Sequence, residues 1–122
     1  MSRITTHVLD TVLGRPAAGI QVQLDRMLGG VGWSNEGVRE EAAQWIAISN
    51  GKTDTDGRCS ELKADAASGF YRLTFNTRLY LKALGRTGIY PEISITFDCD
   101  GASHYHLPLL LSDNSYTTYR GS

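Results

Sequence analysis

Over residues 20–26 the chain alternates strictly: Ile20, Val22 and Leu24 fall on one side, Gln21, Gln23 and Asp25 on the other. An extended backbone sends successive side chains to opposite faces, so this period of two predicts a half-buried antiparallel strand. The same period returns over residues 69–76, where Tyr71, Leu73 and Phe75 oppose Phe70, Arg72, Thr74 and Asn76. It returns again over residues 90–100, with Ile93, Ile95 and Phe97 on one face. Residues 4–10, 44–51, 105–112 and 116–120 are also β-rich. Pro108 sits inside one of these runs and cannot donate to a ladder, which predicts an edge strand or a bulge there. Gly14, Pro16 and Gly19 punctuate one turn, and Asp56-Gly57 is a hairpin-type turn pair.

One stretch changes period. Leu79, Leu81 and Leu84 recur at helical spacing, with Asn76 or Thr77 available as N-cap and Gly85 as the stop, so residues 77–85 predict the one short helix. Residues 27–44 are rich in glycine and then in charge, which reads as a long loop with a helical turn at 38–44. Seven to eight short strands, one helix and regularly spaced turns predict an all-β fold, a β-sandwich forming a single domain over residues 1–122.

The totals narrow the partners. The chain has 122 residues and a net charge of −1, with no local Lys/Arg cluster, so electrostatics gives no case for nucleic acid. No apolar run approaches the ~20 residues of a membrane span, and the first ten residues contain no apolar core of a signal peptide. Cys59 and Cys99 are too few to imply a disulfide framework and read as two thiols in a reducing compartment, which points to the cytoplasm. A small or neutral ligand, or another copy of the chain, is the expected partner.

Three histidines, His7, His104 and His106, lie in or beside predicted strands. A strand histidine is most often a packed, hydrogen-bonded residue. Two on separate strands also suit acid–base chemistry, because an imidazole exchanges a proton near neutral pH. His7 shares a strand face with Thr5 and Leu9, and His106 with Pro108 and Leu110. Arg58, at the end of the Asp56-Gly57 turn, and Arg120 are either solvated cations or planar donors for a developing oxyanion. His104 and His106, with His7 as a third ligand, leave a zinc centre open as an alternative. No nucleophile elbow, phosphate-binding glycine loop or C-x-x-C is present.

Four stretches carry a resemblance: "THVLD" with "GRPAAG", "GKTDTDGR", "NTRLYLKALG" with "YPEISITF", and "HYHLPLLLSDNSYTTYRGS". Together they resemble the transthyretin-like family, and within it the 5-hydroxyisourate hydrolases. The terminal Tyr-Arg-Gly-Ser is what separates the hydrolase branch from the hormone carriers. The resemblance implies a transthyretin-like β-sandwich assembled as a homotetramer, a dimer of dimers with sites in a central channel. It implies hydrolysis of 5-hydroxyisourate to 2-oxo-4-hydroxy-4-carboxy-5-ureidoimidazoline in urate breakdown, with no metal or organic cofactor. It places the site at His7, Arg58, His106, Tyr119, Arg120 and Ser122, with Tyr119-Arg120-Gly121-Ser122 extending the last strand into the channel. A non-catalytic carrier of the same fold is the alternative, and such a carrier should lack these histidines and this ending. The stretch 27–44 is longer than the family's usual link and reads as a loop insertion. Of Trp33 and Trp45, Trp45 better matches the family's tryptophan.

Overall fold

The alternating stretches become the strands of two facing sheets. The structure, a computed structural model, describes residues 1–29 and 43–121. Its elements are β1 (Ser2–Asp10), β2 (Arg15–Pro16), β3 (Gln21–Gly29), β4 (Ala43–Lys52), β5 (Arg58–Ala66), β6 (Gly69–Phe75), α1 (Thr77–Ala83), β7 (Ile93–Cys99), β8 (Tyr105–Leu111) and β9 (Tyr116–Thr118). One sheet has the order β4-β3-β6-β7 and is antiparallel throughout. The other runs β2-β1-β8-β9, with β5 also paired to β1. Within it β1 runs parallel to β8 and antiparallel to β5.

The inward faces form the core. Ile4 and Val8 of β1 and Leu107, Leu109 and Leu111 of β8 lie in one cluster with Val22 and Leu24 of β3 and Tyr71, Leu73 and Phe75 of β6. These are the positions the period of two selects. Each large apolar side chain contributes roughly 1.5–3 kcal/mol by leaving water.

Four expectations change. The Asp56-Gly57 turn does not close a hairpin: β4 pairs with β3 and β5 with β1, so the turn carries the chain from one sheet to the other. Pro108 is buried in β8, an interior strand flanked by β1 and β9. The ends of the presumed 27–44 loop are strand, with Met27 opposite Trp45 and Leu28 opposite Gln44. Within that stretch, residues 38–42 of the expected helical turn and Trp33 lie outside the described residues. Nine strands are present among the described residues, because β5 joins those anticipated and β2 is a two-residue strand of its own.

The helix follows its caps. Asn76 accepts a hydrogen bond from the Leu79 N–H, and Gly85 adopts φ +70° just beyond the C-cap. Gly85 N–H bonds Lys82 O and Arg86 N–H bonds Leu81 O, the paired bonds of a Schellman ending. That ending aims Arg86 at Asp10, the last residue of β1, and at Asp113 in the β8–β9 turn. Asp10 is 0 % exposed and also accepts from the Tyr80 hydroxyl and from the Val12 and Leu13 N–H groups. Burial pushes its carboxyl up, but the hydrogen bonds from Arg86, Tyr80 and Leu13 outweigh burial and hold it below 3.8. Burial, and then the hydrogen bond to Asp10 and its charge, push the Tyr80 phenol up to about 12.

Removing one partner of such a buried pair costs about 3–5 kcal/mol. Arg86→Met should therefore lower stability by that order in chemical denaturation at pH 7; a change within ~0.5 kcal/mol would show the pair to be dispensable. Because the folded carboxyl is depressed, its contribution is complete above its unfolded value of 3.8 and is lost as pH falls through the lower folded value. The variant should accordingly unfold at a higher pH on acid titration.

Candidate active site

β1 points Arg3, Thr5 and His7 away from the core, and its two neighbours complete the constellation. The parallel register sets Thr5 beside His106 of β8, and the antiparallel register sets His7 beside Arg58 of β5. A depression of 340 Å³ forms here, lined by Arg3, Thr5, Arg58, Ser60, His104 and His106 among others. A larger depression of 690 Å³ lies on the outer face of the other sheet, but its lining contains no histidine or cysteine. There Asp25 is already bonded by Arg72, whose guanidinium also stacks 4.5 Å from the Trp45 ring. Two of the three histidines, His104 and His106, line the smaller depression, and His7 lies beside it.

Arg58 reaches it through its turn. Asp54 Oδ1 accepts from the N–H groups of Asp56 (2.9 Å) and Arg58 (3.0 Å), folding the chain back on itself. Gly57 has φ +76°, its carbonyl accepts the Val8 N–H at 2.7 Å, and a Cβ there would come within 2.3 Å of Val8 O. Only glycine lets the turn sit this close to β1. The same turn offers the Asp56 carbonyl to His7 Nε2 at 2.7 Å. A carbonyl only accepts, so Nε2 carries the proton and Nδ1 is the open nitrogen of His7.

His106 is held differently. Its Nδ1 lies 2.7 Å from Thr5 Oγ1, and the same hydroxyl lies 3.1 Å from His104 Nε2. The His106 ring is 6.5 Å from that of His7 and 6.3 Å from that of His104. Partial burial, and then the charges of Arg58, His104 and His7, push the His106 imidazole below 6.5. At neutral pH it is a neutral ring with one lone pair to offer.

The tail returns to this histidine. β9 pairs with β8 from Tyr116 to Thr118, and Gly121 then bridges His106 in the same register. Between them the ladder is open where Pro108, without an N–H, faces the chain; its carbonyl takes the Thr118 hydroxyl instead. Gly121 N–H donates to His106 O at 2.7 Å, and a Cβ on Gly121 would sit 2.8 Å from His106 Cδ2. Gly121 thus packs its backbone directly against the histidine. Arg120 stacks 4.1 Å from the Tyr105 ring and donates to His104 O at 3.3 Å.

Of the residues expected at the site, His7, Arg58 and His106 are brought together, and Arg120 is tied to the adjoining His104. Tyr119 is 53 % exposed and lies outside β9, which ends at Thr118. Ser122 lies outside the described residues. Sequence reasoning missed Thr5, Ser60 and Arg3 and considered His104 only as a metal ligand. The period of two on β1 already put Thr5 on the face of His7; what it could not supply was the neighbour across the strand gap. Among the described residues, no three His, Cys, Asp or Glu side chains are grouped to hold a metal ion.

Comparison with known proteins follows the same lines. The sequence matches the HIUase/Transthyretin family over residues 4–121. It is 38% identical to 5-hydroxyisourate hydrolase of Mus musculus, covering 99% of this chain and 96% of that one. The fold superposes on the structure of Klebsiella pneumoniae 5-hydroxyisourate hydrolase with a TM-score of 0.80, at 32% identity and full coverage of both chains. It superposes equally on transthyretin from Sparus aurata, with a TM-score of 0.80 at 29% identity, covering 98% of this chain and 96% of that one. Backbone shape therefore does not separate the two branches, and the difference must lie in side chains. With its matched span, its sandwich and its relatives all in agreement, this chain belongs to the HIUase/Transthyretin family.

Proposed function

We propose that the protein is an enzyme that hydrolyses 5-hydroxyisourate to 2-oxo-4-hydroxy-4-carboxy-5-ureidoimidazoline. The observation that carries this reading over a ligand carrier is the meeting of His7, Arg58 and His106 on one outward face. A carrier needs an aromatic-sized cavity; it has no use for a neutral imidazole held beside a guanidinium.

In the proposed mechanism His106 Nε2 takes a proton from water, and the hydroxide adds to the ring carbonyl carbon of the substrate. Charge gathers on that oxygen, where Arg58 donates N–H bonds to it. The C–N bond then breaks, and the proton held by the imidazolium passes to the leaving nitrogen. His7, fixed through Nε2, turns Nδ1 toward substrate or water. Arg120 and Tyr119 contribute to binding the flat ring from the tail, and Ser122 orients a histidine. No cofactor takes part in these steps. We propose that a second copy closes the depression within a homotetramer built as a dimer of dimers. Both cysteines are free and buried, which supports work in the reducing cytoplasm.

Fresh 5-hydroxyisourate decays in the ultraviolet, and the protein should accelerate that decay well beyond the spontaneous rate. His106→Ala should lower kcat/KM by about 10²-fold or more with little change in melting temperature. Equal loss of rate and of folding would return His106 to a packing role.

Arg58 also sets the pH range. The acid limb of kcat/KM reports the base of the free enzyme, so it should fall below pH 6.5 in the native protein. Arg58→Met removes a positive neighbour and should move that limb upward while lowering the rate; an unmoved limb would show that Arg58 does not act on the base.

Truncation after Thr118 removes the Gly121 bridge and Arg120. The shortened chain should keep its melting temperature within a few degrees and its tetrameric mass by light scattering, yet lose turnover by at least ~10²-fold. Full activity without the tail would contradict the proposed site.

A further inference from the structure

A threonine hydroxyl has one proton to donate, and Thr5 stands between two imidazoles. Its Oγ1 is 2.7 Å from His106 Nδ1 and 3.1 Å from His104 Nε2. Thr5 is only 6 % exposed, so water cannot easily replace either partner. We infer that Thr5 couples the two histidines directionally, so that the protonation of His104 sets which nitrogen of His106 carries the proton. Thr5 and His104 are positioning residues on this view, and the inference rests on the hydrolytic reading of the site only for its kinetic consequence.

The proton count gives two arrangements. In the first, His106 Nδ1–H donates to Thr5, and the Thr5 hydroxyl donates to the lone pair on His104 Nε2. His106 then presents an unprotonated Nε2, the state a general base requires. In the second, His104 carries a proton on Nε2, as it must when cationic, and that N–H donates to Thr5. The threonine hydrogen turns to His106 Nδ1, and the neutral His106 ring must carry its proton on Nε2. The basic lone pair is gone although His106 itself has gained no charge. A mixed state, with both rings donating to Thr5, strands a buried hydroxyl hydrogen without an acceptor, which is costly.

The fold keeps this triad aligned. Thr5 and His106 are direct partners in the parallel ladder. His104 follows a turn headed by Asp100, whose carboxylate accepts from the N–H groups of Ala102 and Ser103, both at 2.8 Å. Arg120 holds the His104 carbonyl. The charged and titratable groups around the pair are Arg3 and His7 from β1, Arg58 from β5, Asp100 from the β7–β8 turn and Arg120 from the tail. Most are basic, and partial burial together with the charges of Arg58, His104 and His7 opposes protonation of His106.

The test uses the intact protein and has two independent readouts. Nitrogen-15 NMR at pH 7.5 should find His106 protonated at Nδ1 in the native protein, and shifted toward the Nε2–H form in Thr5→Val, which preserves shape but removes the hydroxyl. Thr5→Ser should restore the native tautomer. In turnover of fresh 5-hydroxyisourate, Thr5→Val should lower kcat about 10-fold or more, part of the ~10²–10⁴ a general base supplies, with KM within about 2-fold. The native acid limb should fall with two protons, and with one in His104→Ala. An unchanged His106 tautomer in Thr5→Val, or an unchanged proton count in His104→Ala, overturns the coupling. If the native protein does not accelerate substrate decay, the hydrolytic reading fails while the tautomer measurement still decides the coupling.

Discussion

Everything in the site depends on the parallel pairing of β1 with β8. These strands are separated by nearly the whole chain, yet their register runs unbroken from Ile4 beside Tyr105 to Asp10 beside Leu111. A slip of one residue would turn the alternating faces over, sending Ile4 and Val8 outward and His7 into the core. The buried inward residues of both strands therefore fix the outward ones. Thr5 meets His106, and the adjoining ladder with β5 brings Arg58 to His7, because hydrophobic side chains on the opposite face allow no other alignment.

The pairing is anchored at its far end by charge. Asp10 closes β1, and Arg86 and Tyr80 reach it from the helix and its C-terminal turn, while Asp113 shares Arg86 from the β8–β9 turn. One buried carboxylate thus ties together the end of β1, the helix and the turn that starts the tail. The tail runs back along β8, lets go opposite Pro108 and rejoins at Gly121 against His106. Stability at one end of the sheet and order at the reactive end belong to the same pair of strands.

Much of this was legible in the sequence. The inward faces of β3 and β6 follow the period of two, and the helix boundaries follow Asn76 and Gly85. β5 escaped notice for a physical reason: bulges interrupt its pairing with β1, so its buried residues Cys59, Leu62 and Ala66 fall at spacings that mimic a helix. Pro108 misled in the other direction, since a proline is tolerated inside a sheet where the neighbouring strand lets go. The histidines and Arg58 were readable as residue types and through resemblance. The Thr5 bridge was not, because it exists only once two strands from opposite ends of the chain lie side by side.

The most direct test of the whole account is a crystal structure with a flat, non-hydrolysable purine analogue. The account predicts the analogue over the outward face of β1 and β8, with ring atoms within about 3.2 Å of Arg58 and of His106 Nε2. An analogue bound instead on the outer face of the β4-β3-β6-β7 sheet, or His7 and His106 turned toward separate surroundings, would contradict it.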